Sequence, residues 1–442
     1  MLTISNLIAA YAARETSPVE VVGDLLNKIS ASTINAYITV MADEAMQAAR
    51  SAEDDIASGK AVGPLHGVPI AVKDLIDVAG CRTTMGSQQY ENFIPAEDAV
   101  AVNLLRRAGA IIIGKANTHQ FAYGSTGDRS YFGAVHNPHD ELRISGGSSS
   151  GSAAAVAAGL AYASIGSDTS ASIRLPAAFC GVVGLKPTLG LVSKKGAFPL
   201  SDTLDHVGPL SSCVRDNALL LGIMADRGPQ AYLGELGASI QGKTIGIPDT
   251  FYCDYVSTDV RNALQRAIEV LQAEGALIKS VSIAAIQEIY AAQQLIIKVE
   301  AYALHEAALN AEAPFDSEVR DRLLNGKDVL AADYMRAMQM RAHARRNFDQ
   351  VLTVADVLLT PTCGITAPML YERQTSLDGQ EYSTPWLLTR LTAPTNLSGH
   401  PSLSVPFGSD ANTLPIGLQL IGRYDEEAFL YRIGEVLEMG MK

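Results

Sequence analysis

Three stretches of this chain carry residue types whose spacing can do chemistry. Lys73 closes the apolar run Val68-Pro69-Ile70-Ala71-Val72 that follows His66-Gly67. A lysine is ordinarily a solvated charge, but one at the mouth of a parallel sheet is stripped of water. Its pKa then falls from about 10.4, and the neutral amine is a competent general base. Gly146-Gly147-Ser148-Ser149-Ser150-Gly151-Ser152 runs directly into Ala153 to Ala158, which a flexible linker rarely does. A Gly-rich turn at a helix start can hold an anion, yet the Lys-Ser/Thr ending of a phosphate loop is missing. The same residues fit G-x-S-x-G with Ser149 as nucleophile. That elbow needs a strand before it and a dedicated histidine after it. Leu142 to Ser145 is a poor strand, and His206, His305, His343 and His400 stand in no obvious catalytic loop. The third stretch is Gly166-Ser167-Asp168-Thr169-Ser170-Ala171-Ser172-Ile173-Arg174. Small residues in a polar turn let several backbone amides converge, as an oxyanion site requires. The plain alternative is an ordinary turn with a buried Asp168–Arg174 pair.

The elements that must position these residues alternate between helix and strand. Ser17-Pro18 opens a helix with Val19, Val22, Leu25, Leu26 and Ile29 at helical spacing, and a second runs from Ala42 to Ile56. The first 60 residues thus read as helices. Val68 to Lys73 and Ala110 to Gly114 read as buried strands around a helix from Asp98 to Arg107, the pattern of a sheet covered on both faces. Thr244 to Ile247, a helix from Thr258 to Glu274, and Leu277 to Ile283 repeat it. Residues 285 to 352 are helical, with breaks at Ala313-Pro314 and Asn325-Gly326. Strands return at Val357 to Leu359, Ser402 to Val405 and Ile416 to Ile421, before a closing helix.

Composition bounds the class. The 442 residues are 48% hydrophobic and 18% charged, enough to bury a large core. A net charge of −13 disfavours a broad nucleic-acid surface. Five scattered cysteines without a C-x-x-C pair give neither a disulfide framework nor a zinc knuckle. The opening MLTISNLIAAYAARETSPVE lacks the basic and apolar regions of a signal peptide, and no 18-residue apolar run offers a membrane span. A cytoplasmic protein without membrane contact is expected.

Together these stretches resemble the amidase signature family. The resemblance rests on Pro-Ile-Ala-Val-Lys-Asp around Lys73, on Gly-Gly-Ser-Ser-Ser-Gly-Ser-Ala-Ala-Ala, and on Gly-Ser-Asp-Thr-Ser-Ala-Ser-Ile-Arg-Leu-Pro-Ala-Ala-Phe-Cys-Gly. FCGVVGLKPT, from Phe179 to Thr188, and Leu204-Asp205-His206-Val207-Gly208-Pro209 extend it. It is strong from about 66 to 215, weaker in the N-terminal helices and in 355 to 438, and absent from 285 to 352. It implies a single α/β domain over 1–442, with a mixed, mostly parallel sheet covered by helices on both faces. Within it lie N-terminal helices (1–60), a signature core (66–215) and a variable helical region (285–352).

The resemblance also implies a Ser–cis-Ser–Lys triad. By position, Ser172 is the nucleophile, Ser148 the bridging serine and Lys73 the base, with a cis peptide between Gly147 and Ser148. Backbone amides around Thr169, Ser170 and Ala171 would form the oxyanion hole, with Ser149, Asp168 and Arg174 in support. Neither metal nor organic cofactor is required. Family members carry Gly-Gly where this chain has Ser170-Ala171, which narrows the allowed backbone; activity is expected to survive. The stretch containing Tyr123 and Gly124 and the loop around Met85 are the expected pocket walls.

The leading reading is hydrolysis of a linear, non-peptide C–N bond in a small-molecule amide substrate: a simple amide, aryl acylamide, carbamate or urea. The nearest rival is the A subunit of a glutamine-dependent tRNA amidotransferase, acidic itself with the tRNA held by a partner. That subunit normally carries acidic and tyrosine-rich residues where Trp386 to Leu391 stand before Thr392-Ala393-Pro394-Thr395-Asn396-Leu397, which disfavours glutamine. A carboxybiuret-type hydrolase is a third reading, on Phe121-Ala122-Tyr123-Gly124 and Asn137-Pro138-His139-Asp140. From another class comes a non-catalytic scaffold protein with a vestigial site, which the intact Lys73, Ser148 and Ser172 oppose. A homodimer is the candidate assembly, with no direct nucleic-acid contact.

Overall fold

The computed structural model describes residues 3–60 and 62–441, so the two ends of the expected 1–442 domain, the first two residues of the opening segment and position 61 lie outside the described residues. One eleven-stranded sheet draws its strands from Tyr37 through to Ile421. We number them β1 (Tyr37–Val40), β2 (Pro69–Lys73), β3 (Ile111–Ala116), β4 (Ala163–Asp168), β5 (Val183–Lys186), β6 (His206–Ser211), β7 (Thr244–Pro248), β8 (Leu277–Val281), β9 (Val357–Pro361), β10 (Ser402–Ser409) and β11 (Pro415–Ile421). Their order across the sheet is β1-β3-β2-β4-β6-β5-β10-β11-β9-β7-β8. The sheet is mixed. β3, β2 and β4 run parallel, as do β9, β7 and β8, while the strands between β4 and β9 pair antiparallel.

Burial explains the strand composition. β2, β3 and β4 are buried at every residue, so they read as continuous apolar or small-residue runs rather than alternating ones. The register Ile70↔Ala163 and Val72↔Ile165 sets the carboxyl ends of β2 and β4 side by side, and in β4–β6 Asp168 lies opposite His206. Ligands of open α/β sheets bind outside such carboxyl ends.

The first helix predicted from Ser17-Pro18 spans Pro18–Ala31. Its capping box is complete: Ser17 accepts from the Glu20 N–H and Glu20 reaches back to the Ser17 N–H. The N-terminal region is not all helical, however. Tyr37–Val40 forms edge strand β1, antiparallel to β3; four residues between two helices carry too little periodicity to announce a strand. The helical stretch after 285 resolves into Ile286–Asn310, Ser317–Leu324 and Ala331–Val351, with the breaks near Pro314 and Gly326. No helix among the described residues is long and apolar enough to cross a membrane.

Candidate active site

Lys73 ends β2 with no solvent exposure, and its Nζ donates to the Ser148 hydroxyl at 2.7 Å and to the Ser167 hydroxyl at 2.9 Å. Burial pushes its pKa down to about 7, against the opposing negative charges of Asp168 and Asp205. An amine poised there is half neutral at neutral pH and can accept a proton.

Ser148 precedes the helix Ser150–Ala157, a short run of small, largely buried residues. Small size is obligatory: a Cβ on Gly151 would lie 2.3 Å from the Ala36 carbonyl oxygen and 2.5 Å from the Asn117 nitrogen. The Gly147–Ser148 peptide is cis. The Ser148 carbonyl accepts from the Thr118 hydroxyl at 2.9 Å. Ser149 fastens this turn to β4: its hydroxyl donates to the Ser167 carbonyl at 3.1 Å and accepts from the Ser167 N–H at 3.3 Å. Its own N–H donates to the Ser172 carbonyl at 3.1 Å. The strand before this turn, Asp140–Ile144, belongs to a separate two-stranded hairpin with His136–Asn137. With neither a strand of the main sheet before it nor a histidine on the Ser149 hydroxyl, the nucleophile-elbow reading loses its context.

The loop from Thr169 to Ser172 links β4 to the helix Arg174–Cys180. Neither Ser170 nor Ala171 adopts a positive φ, so the loop closes without the glycine conformations of the family pattern. Arg174 is fully buried and makes a two-pronged contact with Asp168, Nε at 3.0 Å and Nη2 at 2.9 Å. The same guanidinium donates to the Ser170 carbonyl, Thr395 Oγ1, Asn396 Oδ1 and Gln419 Oε1. Burial would raise the Asp168 carboxyl, but Arg174 and Asn396 hold it well below the usual carboxylate range. The Thr169 hydroxyl donates to buried Asp205 at 2.6 Å. Burial lifts Asp205 to about 6 despite that bond and the N–H groups of Leu200 and Ser201.

Ser172 opens on a cavity of about 270 Å³ whose floor is Thr169 to Ser172. Tyr123 and Gly124 line it, and a Cβ on Gly124 would sit 2.0 Å from His119 Nε2. Met85 does not. It lies in the hydrophobic core, with its N–H on the Asp74 carbonyl and its own carbonyl on the Phe121 N–H. The remaining wall comes largely from the helical stretch 285–352: Tyr290, Gln294, Ile297 and Lys298 of one helix, then Arg322 and Asn325, joined by Trp386 and Thr389. Arg322 stacks its guanidinium 5.6 Å from the Tyr123 ring centroid and donates to the Tyr123 carbonyl. A smaller cavity of about 90 Å³ shares Ala122, Thr169 and Leu200 with the first and is lined by Ser167, Asp205 and His206. No hydrogen bond joins the Ser148 and Ser172 hydroxyls among the described residues; such catalytic contacts often tighten only with substrate bound.

A family model described as Amidase matches residues 20–430, so the match also runs through the helical stretch 285–352, where the residues alone offered no resemblance. The chain belongs to the amidase family, the amidase signature enzymes. The chain is 37% identical over 478 residues to the glutamyl-tRNA(Gln) amidotransferase A subunit of Carboxydothermus hydrogenoformans, covering 99% of this chain and 96% of that one. Among solved structures it resembles, at TM-score 0.95 and 32% identity over 99% of this chain and 98% of the other, one described as an unexpected vestigial protein complex that reveals the evolutionary origins of an s-triazine catabolic enzyme. It also matches the glutamyl-tRNA(Gln) amidotransferase A subunit of Thermotoga maritima at TM-score 0.82 and 33% identity, over 99% of this chain and 94% of that one.

Several residues of this candidate site had no site role assigned from the sequence. Thr395, Asn396 and Gln419 reach Arg174 from more than 200 positions away. The local mark of Gln419 is a polar side chain within the apolar run PIGLQLI, while Thr395 and Asn396 lie in the stretch Thr392 to Leu397, whose sequence does not say what they contact. Arg322 and Gln294 stand among many polar residues of amphipathic helices, where nothing distinguishes a wall residue from a solvated one.

Proposed function

We propose that this amidase cleaves a small, carboxylate-bearing amide through an acyl-enzyme on Ser172, and that it works as the amidase component of an amidotransferase-type assembly. The observation that carries the reaction is the buried Lys73 amine in hydrogen bond with Ser148. In this reading neutral Lys73 takes the Ser148 proton as Ser148 takes that of Ser172, and Ser172 Oγ bonds to the amide carbon. The N–H groups of the 169–172 loop hold the oxyanion, a contribution of about 3–4 kcal/mol per donor in comparable hydrolases. The C–N bond then breaks, and the relay returns its proton to the departing nitrogen, so ammonia or an amine leaves rather than its anion. Water, deprotonated by the same relay, attacks the ester carbon, releases the carboxylic acid and restores the Ser172 hydroxyl.

Relatives named as amidotransferase A subunits favour glutamine as the amide and a partner as the ammonia acceptor. Lys298 on the cavity wall suits the carboxylate of such a substrate, as does Arg322, whose guanidinium also pairs with Glu318 at 3.0 Å and would share its charge between the two carboxylates. A second reading has its own observation: no Asp or Glu among the described residues lines that cavity to meet an α-ammonium. An anionic amide without an amine, of the carboxybiuret type, then fits the wall better than a zwitterion.

Glutaramate, which is glutamine lacking its α-ammonium, separates the two. Ammonia release is measured from glutamine, glutaramate and carboxybiuret, with the protein alone and with candidate amidotransferase partners. Preference for glutamine by tenfold or more, dependent on a partner, supports the amidotransferase reading; preference for the amine-free acids by the lone chain replaces it with the second. Ser172→Ala must abolish turnover in either case. Arg322→Ala should raise KM for either anionic amide by about tenfold to hundredfold with little change in kcat, the signature of lost carboxylate binding. Equal KM values in both proteins would remove the anionic-substrate assignment.

A further inference from the structure

The loop that supplies the oxyanion amides is held from the side by a residue of the variable helical region. Gln293, on the helix Ile286–Asn310, has no solvent exposure. Its Nε2 donates to the Thr169 carbonyl at 2.9 Å and to the Ser170 hydroxyl at 2.7 Å. Its Oε1 accepts from Gln294 Nε2 at 2.7 Å, and Gln294 faces the cavity. Both amide hydrogens and the amide oxygen of Gln293 are therefore engaged, and each bond is directional.

The partner on the loop is the residue that departs from the family's Gly-Gly. A glycine at 170 has no hydroxyl to offer, and the carbonyl of Thr169 would be the helix's only anchor point there. With serine, two adjacent loop residues are tied to one buried side chain. Ser170 is fixed on its other side by Arg174, whose Nη2 donates to the Ser170 carbonyl at 3.2 Å. The peptide units between these anchors carry the N–H groups at the end of the cavity beside Ser172. Small displacements of such donors matter, because their stabilisation depends on pre-set aim.

We propose that Gln293 is a positioning residue, which acts through Ser170 to aim the oxyanion-loop amides and couples them, through Gln294, to the substrate wall. The inference rests on the reading of Ser172 as nucleophile and of loop 169–172 as the oxyanion site. Gln293 touches no substrate in this scheme. Its removal should therefore weaken the tetrahedral state and leave ground-state binding alone.

The test uses the full chain with glutaramate as substrate and 3-carboxypropylboronic acid as a probe that forms a tetrahedral adduct with the nucleophile. Gln293→Leu should lower kcat by about tenfold to hundredfold, the kinetic equivalent of buried amide partners left unmade, with KM within about twofold. Affinity for the boronate should fall in parallel with kcat. Ser170→Ala should reproduce a smaller loss, about threefold to tenfold, and should add almost nothing to Gln293→Leu in the double variant. Ser172→Ala is the control for the underlying reading: retained turnover there refutes the nucleophile, whatever Gln293 does. With Ser172→Ala inactive, unchanged kcat and boronate affinity in Gln293→Leu overturn the proposal, as do losses confined to KM or fully additive losses. If Gln293→Leu fails to fold, Ser170→Ala decides, since it removes one cavity-side oxygen; boronate affinity equal to wild type in that variant overturns the proposal.

Discussion

Replacing Lys73 by methionine should make this protein more stable while abolishing its activity, and the gain should vanish at high pH. Lys73 is fully buried, and its ammonium titrates near 7 in the folded chain against 10.5 for the exposed group. Between those values the unfolded chain binds a proton that the folded chain rejects, so stability rises with pH through that window. Below about pH 7 both states are protonated and the full penalty applies. The linkage integral puts it near 5 kcal/mol there, about 2 kcal/mol at pH 9, and close to zero above pH 10.5. Methionine keeps a similar length and apolar stem and carries no charge to desolvate. It also forfeits the bonds to Ser148 and Ser167, at about 1 kcal/mol each. The expected net gain is therefore about 2–3 kcal/mol at pH 6 to 7, turning into a loss of about 1–2 kcal/mol by pH 10. Denaturant titrations of both proteins at unit pH steps from 6 to 10 measure it. A Lys73→Met protein that is less stable than wild type at pH 6, or a difference that does not change with pH, would refute the buried-neutral-amine argument.

Further outcomes follow from the same geometry. The pH profile of kcat/KM should rise through about 7 and then level, because protonated Lys73 cannot serve as the base. Asp205→Asn should move that limb to lower pH, since the ionised carboxylate favours the Lys73 ammonium; a limb that stays in place means the carboxylate is not felt. Arg174→Lys should cost about 3–5 kcal/mol in denaturant unfolding, because an ammonium cannot reach Asp168, Thr395, Asn396 and Gln419 together; a cost below about 1 kcal/mol would refute that role. Gly151→Ala should cost about 3 kcal/mol, since its Cβ meets backbone atoms of Ala36 and Asn117. Gly159→Ala, in open space at φ +67°, should cost only about 1 kcal/mol, and equal melting temperatures for the two variants would contradict the packing argument.

What could be read from the residues alone follows the range over which each signal acts. The helix Pro18–Ala31 is announced by its own cap, and β2 and β3 by unbroken apolar runs, all of them local facts. Lys73 is conspicuous because a charge ends such a run. β1 escaped because its four residues, three half-buried and one exposed, owe their strand state to pairing with β3, not to their own pattern. The cavity wall escaped for a related reason. Tyr290, Gln294 and Arg322 lie on helices whose periodicity marks a buried stripe without saying what the other faces meet. The Met85 loop shows the converse: an apolar side chain suits a pocket wall and a core equally, and here it is packed in the core, with its backbone bonded to Asp74 and Phe121.

The division of labour in the fold then has a physical basis. Lys73, Ser167 and Asp168 sit at the ends of neighbouring parallel strands, which set their separation rigidly and bury them. The loop after β4 has no such ladder, and its shape is imposed from outside by Asp205 on Thr169, Arg174 on Ser170, and Gln293 on both. Two of these three ties come from residues within 66–215 and one from the helix Ile286–Asn310. On the proposed reading, a change in that helix would alter the substrate wall without moving the lysine or the serines, but not without consequence for the loop. Because the helix that lines the cavity also grips the 169–172 loop, a change of wall residue also bears on the shape of that loop. Gln293 and Gln294, adjacent on one helix and facing the loop and the cavity respectively, are where the two functions meet.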